Sequence, residues 1–286
     1  MGNVSNIAWT DSTFNGWVGC TEAGPGCDSC YARDLDARYQ WGVKKGDRRT
    51  DGLAPHWGAG APRYRTSAGN WRGPILWNKS AETLRVPRKV FAHSLSDVFD
   101  NEVPDEWRAD LFALMKITPW LRWQVLTKRV PNIRKMLPAD WGKGYPNVGL
   151  VATVVDHQEF ERDGPRLLSV PARWHGFSVE PQLNTLGILS ARRLLDEYPG
   201  SKWIITGGES AQKAKDGTPA VAREYDLRWA RDIIRIAAIS RNTYAFVKQT
   251  GARPIGCDAP EDGAGAKPER WPADIRVRDF VPELLA

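Results

Sequence analysis

Short apolar runs recur along this chain, and each of them is followed by polar residues. Runs of this kind, bounded by turn-forming residues, are typical of strands that are buried on both faces. Seven such runs are predicted to be strands: residues 14–18, 88–92, 123–126, 148–152, 173–177, 203–206 and 244–247.

Helical periodicity fills most of the gaps between these strands. Residues 226–238 show it best, because their apolar positions fall on one face of a helix: Leu227, Ala230, Ile233, Ile234 and Ala237. Further helices are predicted over residues 30–40, 104–115, 131–137, 157–168 and 190–198.

The alternation of strands and helices indicates an α/β fold built from parallel βα units. About six to seven units fit a partial (β/α) TIM-type barrel, and an open doubly wound sheet is the alternative. The barrel is favoured because polar residues end nearly every strand, and the strand ends of a barrel meet on one active-site face.

Two segments depart from the alternation. Residues 43–87 are rich in Gly, Pro and Arg without strong periodicity, and they are predicted to be a long basic loop inserted into the barrel. Residues 252–286 are predicted to be a C-terminal extension that packs on the outside. Its predicted anchors are Phe280, Val281, Leu284 and Leu285. The domain prediction is therefore a barrel over residues 1–251 and an extension over 252–286.

Composition adds a prediction about partners. The chain has 286 residues and a formal net charge of +6, which favours an anionic partner such as nucleic acid. The strongest candidates for contacting it lie in the basic insertion, at Lys44, Lys45, Arg48 and Arg49. Several of the 14 tryptophans also stand beside arginine, as in Trp71-Arg72. No secretory signal and no apolar run of the ~18 residues that a membrane span needs is present, so a cytoplasmic protein is expected.

Three cysteines lie close together directly after the first predicted strand, at Cys20, Cys27 and Cys30, and Cys257 is distant. Three thiolates can hold an iron–sulfur cluster and leave one iron open for a substrate or cofactor. The alternatives are inert thiols, or a structural zinc site in which His56 or His93 supplies the fourth ligand. An open iron would make the protein an enzyme.

The chain also resembles a phage and bacterial three-cysteine family that is usually grouped with the radical S-adenosylmethionine (SAM) enzymes, in a superfamily similar to the photoproduct lyases. The resemblance spans roughly residues 6–251. It is carried by short motifs at residues 6–11, 17–20, 26–32, 94–99, 103–105, 126–129, 178–181, 207–210 and 248–249.

This resemblance implies a 4Fe–4S cluster on Cys20, Cys27 and Cys30, with SAM on its open iron, inside a partial barrel. It further implies cleavage of SAM to a radical that removes a hydrogen atom from a substrate. A reductase or a flavodoxin-type protein is the expected electron donor. For a phage-encoded chain, the expected compartment is the host cytoplasm.

Polar residues at the predicted strand ends are the candidates for binding SAM. Hydroxyl and carboxylate groups suit its amino group or ribose, lysine suits its carboxylate, and a glycine pair allows close backbone approach. Helix capping and simple ion pairing are the alternative roles. The candidates are Ser94, Ser96, Asp97, Lys128, Glu180, Gly207, Gly208, Glu209 and Lys248.

The sequence therefore predicts a radical SAM enzyme that modifies or repairs a nucleic-acid base or nucleotide. Two alternatives remain open. One is a non-catalytic nucleic-acid-binding protein with a structural zinc or iron–sulfur site. The other is a radical SAM enzyme that acts on a peptide or a small metabolite.

Overall fold

The structure is a computed structural model and describes residues 4–213 and 219–286. It has a mixed α/β fold with a parallel seven-stranded sheet, which confirms the predicted class of partial (β/α) barrel. The strand order in this sheet is β1-β4-β5-β6-β7-β8-β12. Its strands are β1 (Ser12–Phe14), β4 (Arg88–Ala92), β5 (Leu121–Thr127), β6 (Val148–Val154), β7 (His175–Val179), β8 (Lys202–Gly207) and β12 (Thr243–Gln249).

Six short strands form three two-stranded pairs outside this sheet. They are β2 (Trp17–Val18), β3 (Tyr64–Arg65), β9 (Gln212–Lys213), β10 (Pro219–Ala220), β11 (Tyr225–Asp226) and β13 (Pro254–Ile255). Among the described residues there are seven α-helices, and none is long and apolar enough to cross a membrane. The helices are α1 (Tyr31–Tyr39), α2 (Ala68–Leu84), α3 (Asp105–Lys116), α4 (Val130–Met136), α5 (His157–Leu168), α6 (Ile188–Glu197) and α7 (Leu227–Ile239).

The first predicted strand, 14–18, is wrong as a single element. Only β1 joins the main sheet, where it runs parallel to β4, whereas β2 pairs antiparallel with β3. The break lies at Asn15 and Gly16, whose carbonyl oxygens accept hydrogen bonds from the Thr66 side chain. A Cβ atom on Gly16 would lie 2.7 Å from the Trp71 ring, so the chain can turn here only without a side chain.

The predicted basic loop 43–87 contains helix α2, which the sequence prediction missed. Ser67 caps this helix by accepting a hydrogen bond from the backbone N–H of Asn70. Its buried face is formed by Pro74, Trp77 and Ala81, which lie three and four residues apart. Two glycines and a proline within the helix conceal this periodicity in the sequence.

The chain divides into two compact units, Met1–Gly149 and Leu150–Ala286. In the first unit, Phe14 lies at the centre of an aromatic core, with ring centroids 5.3 Å from Trp71 and 5.9 Å from Trp123. Both contacts are edge-to-face, the geometry that aromatic pairs prefer. This core anchors the strands β1, β4 and β5, and residues that follow β4 and β5 contact the cysteine segment.

In the second unit, helix α7 packs its apolar face against β12 and the C-terminal segment. The core cluster here is Tyr225, Leu227, Ala230, Val247, Trp271 and Ile275. Of the four predicted C-terminal anchors, Val281 and Leu284 are fully buried and Phe280 is half-buried. Leu285 is 60% exposed and is not an anchor. The predicted domain boundary at residue 251 stays a prediction.

Helix α7 offers a matched pair of isoleucines for testing this core. Ile233 is fully buried and Ile239, near the end of the same helix, is 38% exposed. We expect Ile233→Ala to lower the free energy of unfolding by about 3 kcal/mol, because it leaves a cavity. The Ile239→Ala change should cost less than about 1 kcal/mol. Urea denaturation measures both, and equal losses would contradict the packing described for α7.

Candidate functional site

The segment that carries Cys20 lies at the carboxyl end of β4. The backbone N–H of Gly19 donates to the Leu95 carbonyl oxygen at 3.1 Å, and Gly19 forms a bridge with Ser96. Gly19 has a φ of +109°, and a Cβ atom on it would lie 2.3 Å from the His56 carbonyl oxygen. Only glycine fits this position, so the residue before Cys20 is fixed by sterics.

Cys27 and Cys30 lie on either side of a short turn. A 3-10 helix (Pro25–Cys27) ends at Cys27, and Cys30 is the N-cap residue of α1. The Cys27 sulfur accepts a hydrogen bond from the Ala23 N–H at 3.4 Å. Burial is the main cause that raises the pKa of Cys30, and the neighbouring Cys27 contributes to it. Cys27 is therefore close enough to Cys30 for its charge to affect the pKa of Cys30.

Arg129, at the start of α4, contacts the Cys20 sulfur. Its guanidinium lies 3.5 Å from the Cys20 Sγ and 3.1 Å from the Asp97 carboxylate, and it also donates to the Thr21 carbonyl. Burial, followed by the charge of Asp97, nevertheless raises the pKa of Cys20 to about 12. Cys20 is a protonated thiol in this arrangement, and a metal would have to displace its proton.

Asp97 is fully engaged by the protein. One carboxylate oxygen accepts from the Thr127 hydroxyl and the Phe99 N–H, and the other accepts from the Lys128 N–H and Arg129. Asp97 therefore holds the end of β5 against the residues that follow β4.

A second buried ion pair supports the same region. The Arg63 guanidinium makes two hydrogen bonds to the Asp100 carboxylate, at 2.8 and 3.0 Å. It also donates to the Thr21 hydroxyl and to the carbonyl of His56. Both charged groups are almost completely buried, so each depends on the other to offset its lost hydration. Arg63 thereby ties the residue after Cys20 to the following loop.

Ser94 and Ser96 are also engaged internally. The Ser94 hydroxyl accepts from the Asn15 side-chain amide at 3.0 Å. The Ser96 hydroxyl lies 2.6 Å from Nδ1 of His93 and donates to the Trp17 carbonyl oxygen. His93 uses its second ring nitrogen to accept from the Gly16 N–H, so it is not available as a fourth zinc ligand. The predicted role of Ser94 and Ser96 in SAM binding stays a prediction.

Lys128 is different, because its ammonium group makes no hydrogen bond or ion pair within residues 4–213 and 219–286. Burial raises the pKa of Cys30, and the positive charge of Lys128 opposes that rise. A cation in this position is suited to a carboxylate or phosphate group of a ligand.

The cysteine segment fits an iron–sulfur cluster in its chemistry. Arg129 contacts the Cys20 sulfur, and a cation in this position favours the thiolate that ligates such a cluster, although burial keeps the pKa of Cys20 raised. In the described part of the chain, however, no three His, Cys, Asp or Glu side chains are grouped so that they could hold a metal ion. Binding a cluster would therefore require the segment from Cys20 to Cys30 to draw its sulfurs together.

In the second unit, the strand ends carry a separate polar group. The Lys248 ammonium lies 2.8 Å from the Glu180 carboxylate, which also accepts from the Ser178 hydroxyl at 3.1 Å. Gly207 is adjacent, since a Cβ atom on it would lie 3.3 Å from the Glu180 carboxylate. The structure thus brings together three predicted site residues, Glu180, Gly207 and Lys248.

Glu209 comes two residues after the end of β8, and its carboxylate is bound by Arg223. Its carboxylate accepts from the backbone N–H and the guanidinium of Arg223, so both oxygens are used. Gly208 packs against Gly251, and a Cβ atom there would lie 2.9 Å from the Gly251 Cα. The glycine at 208 therefore serves close packing of the chain in this structure.

The predicted nucleic-acid residues lie together on an exposed segment that follows α1. Lys44, Lys45 and Arg48 are exposed and make no ion pair within the described residues. Arg49 is different, because its guanidinium is paired with the Asp51 carboxylate.

Two charged residues of the site, Arg63 and Asp100, were not predicted to belong to it. Asp100 belongs to a motif rich in polar residues, and Arg63 lies among nine cations of the insertion. Nothing in the local sequence separates a buried arginine from an exposed one. A second carboxylate three residues after Asp97 was the one available signal.

The family assignment follows from a comparison over nearly the whole chain. A family model described as "Protein of unknown function (DUF5131)" matches residues 4–266, and the chain belongs to this family. No curated protein and no solved structure matches the chain. The description of the family gives no activity.

The buried ion pair yields the first test of the site. Arg63→Met leaves the Asp100 carboxylate buried without its main partner, and we expect the free energy of unfolding to fall by about 3–5 kcal/mol. The matched control is Lys116→Met, which removes the exposed pair between Lys116 and Asp140 and should cost less than about 1 kcal/mol. Chemical denaturation that shows equal losses would contradict the supporting role of Arg63.

His93 yields a prediction about pH. Burial lowers its pKa to about 3, whereas the unfolded chain protonates histidine near an ordinary value of about 6.5. As the pH falls between these values, only the unfolded state gains a proton, so stability is lost by roughly 1.4 kcal/mol per pH unit. His93→Asn, which tolerates the φ of 67° at this position, should remove that contribution. The free energy of unfolding of both proteins is measured from about pH 6 to about pH 4. A loss that is equal in the wild type and in His93→Asn would contradict this prediction.

Proposed function

We propose that the protein is a radical SAM enzyme that modifies or repairs a nucleic-acid base or nucleotide. The observation that supports this most is the position of the cysteine segment. It lies at the carboxyl end of β4 in a partial barrel, where the Arg129 guanidinium contacts the Cys20 sulfur. The carboxyl ends of barrel strands are where enzymes of this architecture hold their reactive groups.

Cys20, Cys27 and Cys30 would hold a 4Fe–4S cluster, and Cys257 would not. When bound, such a cluster would supply one-electron reduction of SAM, with a flavodoxin-type protein or a reductase as the electron donor, and thereby the removal of a hydrogen atom from the substrate.

The protein's own residues bind and position in this proposal. Lys128 binds the carboxylate of SAM, because its ammonium group makes no hydrogen bond or ion pair in the described part of the chain and its charge acts on Cys30. Arg129 and Asp97 fix the backbone at Thr21 and so hold Cys20 in place. The predicted SAM contacts in the second unit, at Glu180, Gly207, Gly208, Glu209 and Lys248, stay predictions.

The cytoplasm is the compartment we propose, because its reducing conditions keep thiols free for metal. A nucleic-acid substrate is supported by the net positive charge and by Lys44, Lys45 and Arg48, which make no ion pair with any residue that the structure describes.

One observation favours a second candidate, a structural zinc site in a nucleic-acid-binding protein. The Asp36 carboxylate accepts from the backbone N–H and Nδ1 of His56, at 2.9 and 2.8 Å. Nε2 of His56 makes no hydrogen bond within the described part of the chain. A carboxylate that orients a histidine in this way is common behind a metal ligand, and three cysteines with one histidine form a closed zinc site.

Anaerobic reconstitution with iron and sulfide tests the proposal. We expect the wild type to bind about four irons and to cleave SAM to 5′-deoxyadenosine when reduced. The Cys20→Ala, Cys27→Ala and Cys30→Ala variants should lose both, and Lys128→Ala should keep the cluster but bind SAM more weakly. Cys257→Ala is the matched control, because it removes a thiol outside the proposed site.

Three results would overturn the proposal. One is a wild type that binds a single zinc ion and no iron, with His56→Ala losing the zinc. Another is a reconstituted cluster that leaves SAM intact. The third is a Cys257→Ala variant that loses the cluster as completely as Cys27→Ala does.

A further inference from the structure

The end of helix α1 leads into a closed loop, residues 41–48. Gln40 ends the helix in a left-handed conformation, with a φ of 47°. Its side-chain oxygen accepts from the Arg49 N–H at 2.7 Å, and its side-chain amide donates to the Arg49 carbonyl at 2.8 Å. These two hydrogen bonds close the base of the loop against α1.

The loop is also anchored from inside. Gly42 has a φ of +76°, and a Cβ atom on it would lie 2.2 Å from the Tyr64 ring. Two backbone hydrogen bonds within the loop, from Val43 to Gln40 and from Asp47 to Lys44, hold its turns. The side chains that the loop presents are therefore on a backbone that is already ordered, which lowers the entropic cost of binding.

Aromatic and cationic groups are interleaved on this surface. Tyr39 is 47% exposed, its ring centroid lies 5.5 Å from that of Trp41, and the Arg38 guanidinium lies 5.3 Å above it. Lys44, Lys45 and Arg48 follow, exposed and without ion pairs in the described residues, and Asp47 is the only acid among them. Cations of this kind bind the phosphate backbone of a nucleic acid, and an exposed aromatic ring is a surface on which an unpaired base stacks.

We propose that this surface binds single-stranded nucleic acid, with a base stacked on Tyr39 and the phosphates held by Lys44, Lys45 and Arg48. The inference rests on the proposed function and makes its substrate more specific. Helix α1 runs from Cys30 to this surface over nine residues, or about 14 Å. A strand that runs from there along α1 would reach the cysteine segment. Single strands are favoured because bases in a duplex do not offer their faces for stacking.

Fluorescence anisotropy with a short labelled oligonucleotide tests the stacking contact. The full-length protein is used without iron, sulfide or SAM, and the same sequence is offered as a single strand and as a duplex. We expect the single strand to bind more tightly. Tyr39→Ala should weaken binding about tenfold, because it removes one stacked base, whereas Tyr39→Phe should bind like the wild type.

The charge contacts are tested with a matched pair of triple variants. Replacing Lys44, Lys45 and Arg48 by Ala should reduce the slope of log Kd against log salt concentration by about 2. The reason is that each phosphate contact with a single strand contributes about 0.7 to this slope, and three contacts are removed. The control replaces three exposed lysines elsewhere in the same unit, Lys79, Lys135 and Lys143, and changes the net charge equally. Its slope should match that of the wild type.

The inference is overturned if the duplex binds as tightly as the single strand, or if the control triple lowers the slope equally. It is also overturned if Tyr39→Ala binds normally, or if polyglutamate competes as well as the oligonucleotide, which would indicate an acidic protein partner. Failure here is distinguishable from failure of the proposed function. A protein that cleaves SAM but binds no oligonucleotide refutes this inference alone, and one that binds oligonucleotide but holds no cluster refutes only the enzyme proposal.

Discussion

The candidate site depends on two buried ion pairs, Arg63 with Asp100 and Arg129 with Asp97. Buried charges are tolerated only when partners and hydrogen bonds replace their lost hydration, and here each arginine also binds Thr21. The residue after Cys20 is therefore held from two sides. The position of the first cysteine therefore depends on these charged contacts together with the close packing at Gly19.

The sequence predicted the main elements well because their signals are local. The bounds of β4 and α5 agree with prediction, because a buried strand and an amphipathic helix can each be identified from the pattern of apolar residues in their own sequence. Helix α2 was missed because Pro74 and two glycines interrupt its pattern, although Ser67 caps it and Trp77 anchors it. The division of the first strand at Gly16 depends on the distant Trp71, which no local pattern reports.

The site was predictable in its residue types but not in its partners. Clustered cysteines are visible in any sequence, whereas the roles of Ser96 and Asp97 depend on His93 and Arg129, which approach from other elements. Strand-end polar residues in a barrel serve both ligands and the loops around them. The useful distinction is whether a side chain already has a partner: within the described residues the Lys128 ammonium group has none, whereas both carboxylate oxygens of Glu209 are hydrogen-bonded.

The clamp between Glu209 and Arg223 has a consequence for how this family can vary. Glu209 follows β8 directly, and it binds both the main chain and the side chain of Arg223. The carbonyl of Glu209 also accepts from the Ala252 N–H after β12. These contacts hold Glu209 to Arg223 and to the residues after β12. Insertions and deletions between residues 209 and 223 would therefore leave β8 and β12 in register. We expect relatives to differ in length there, while acid and arginine are retained at its two ends.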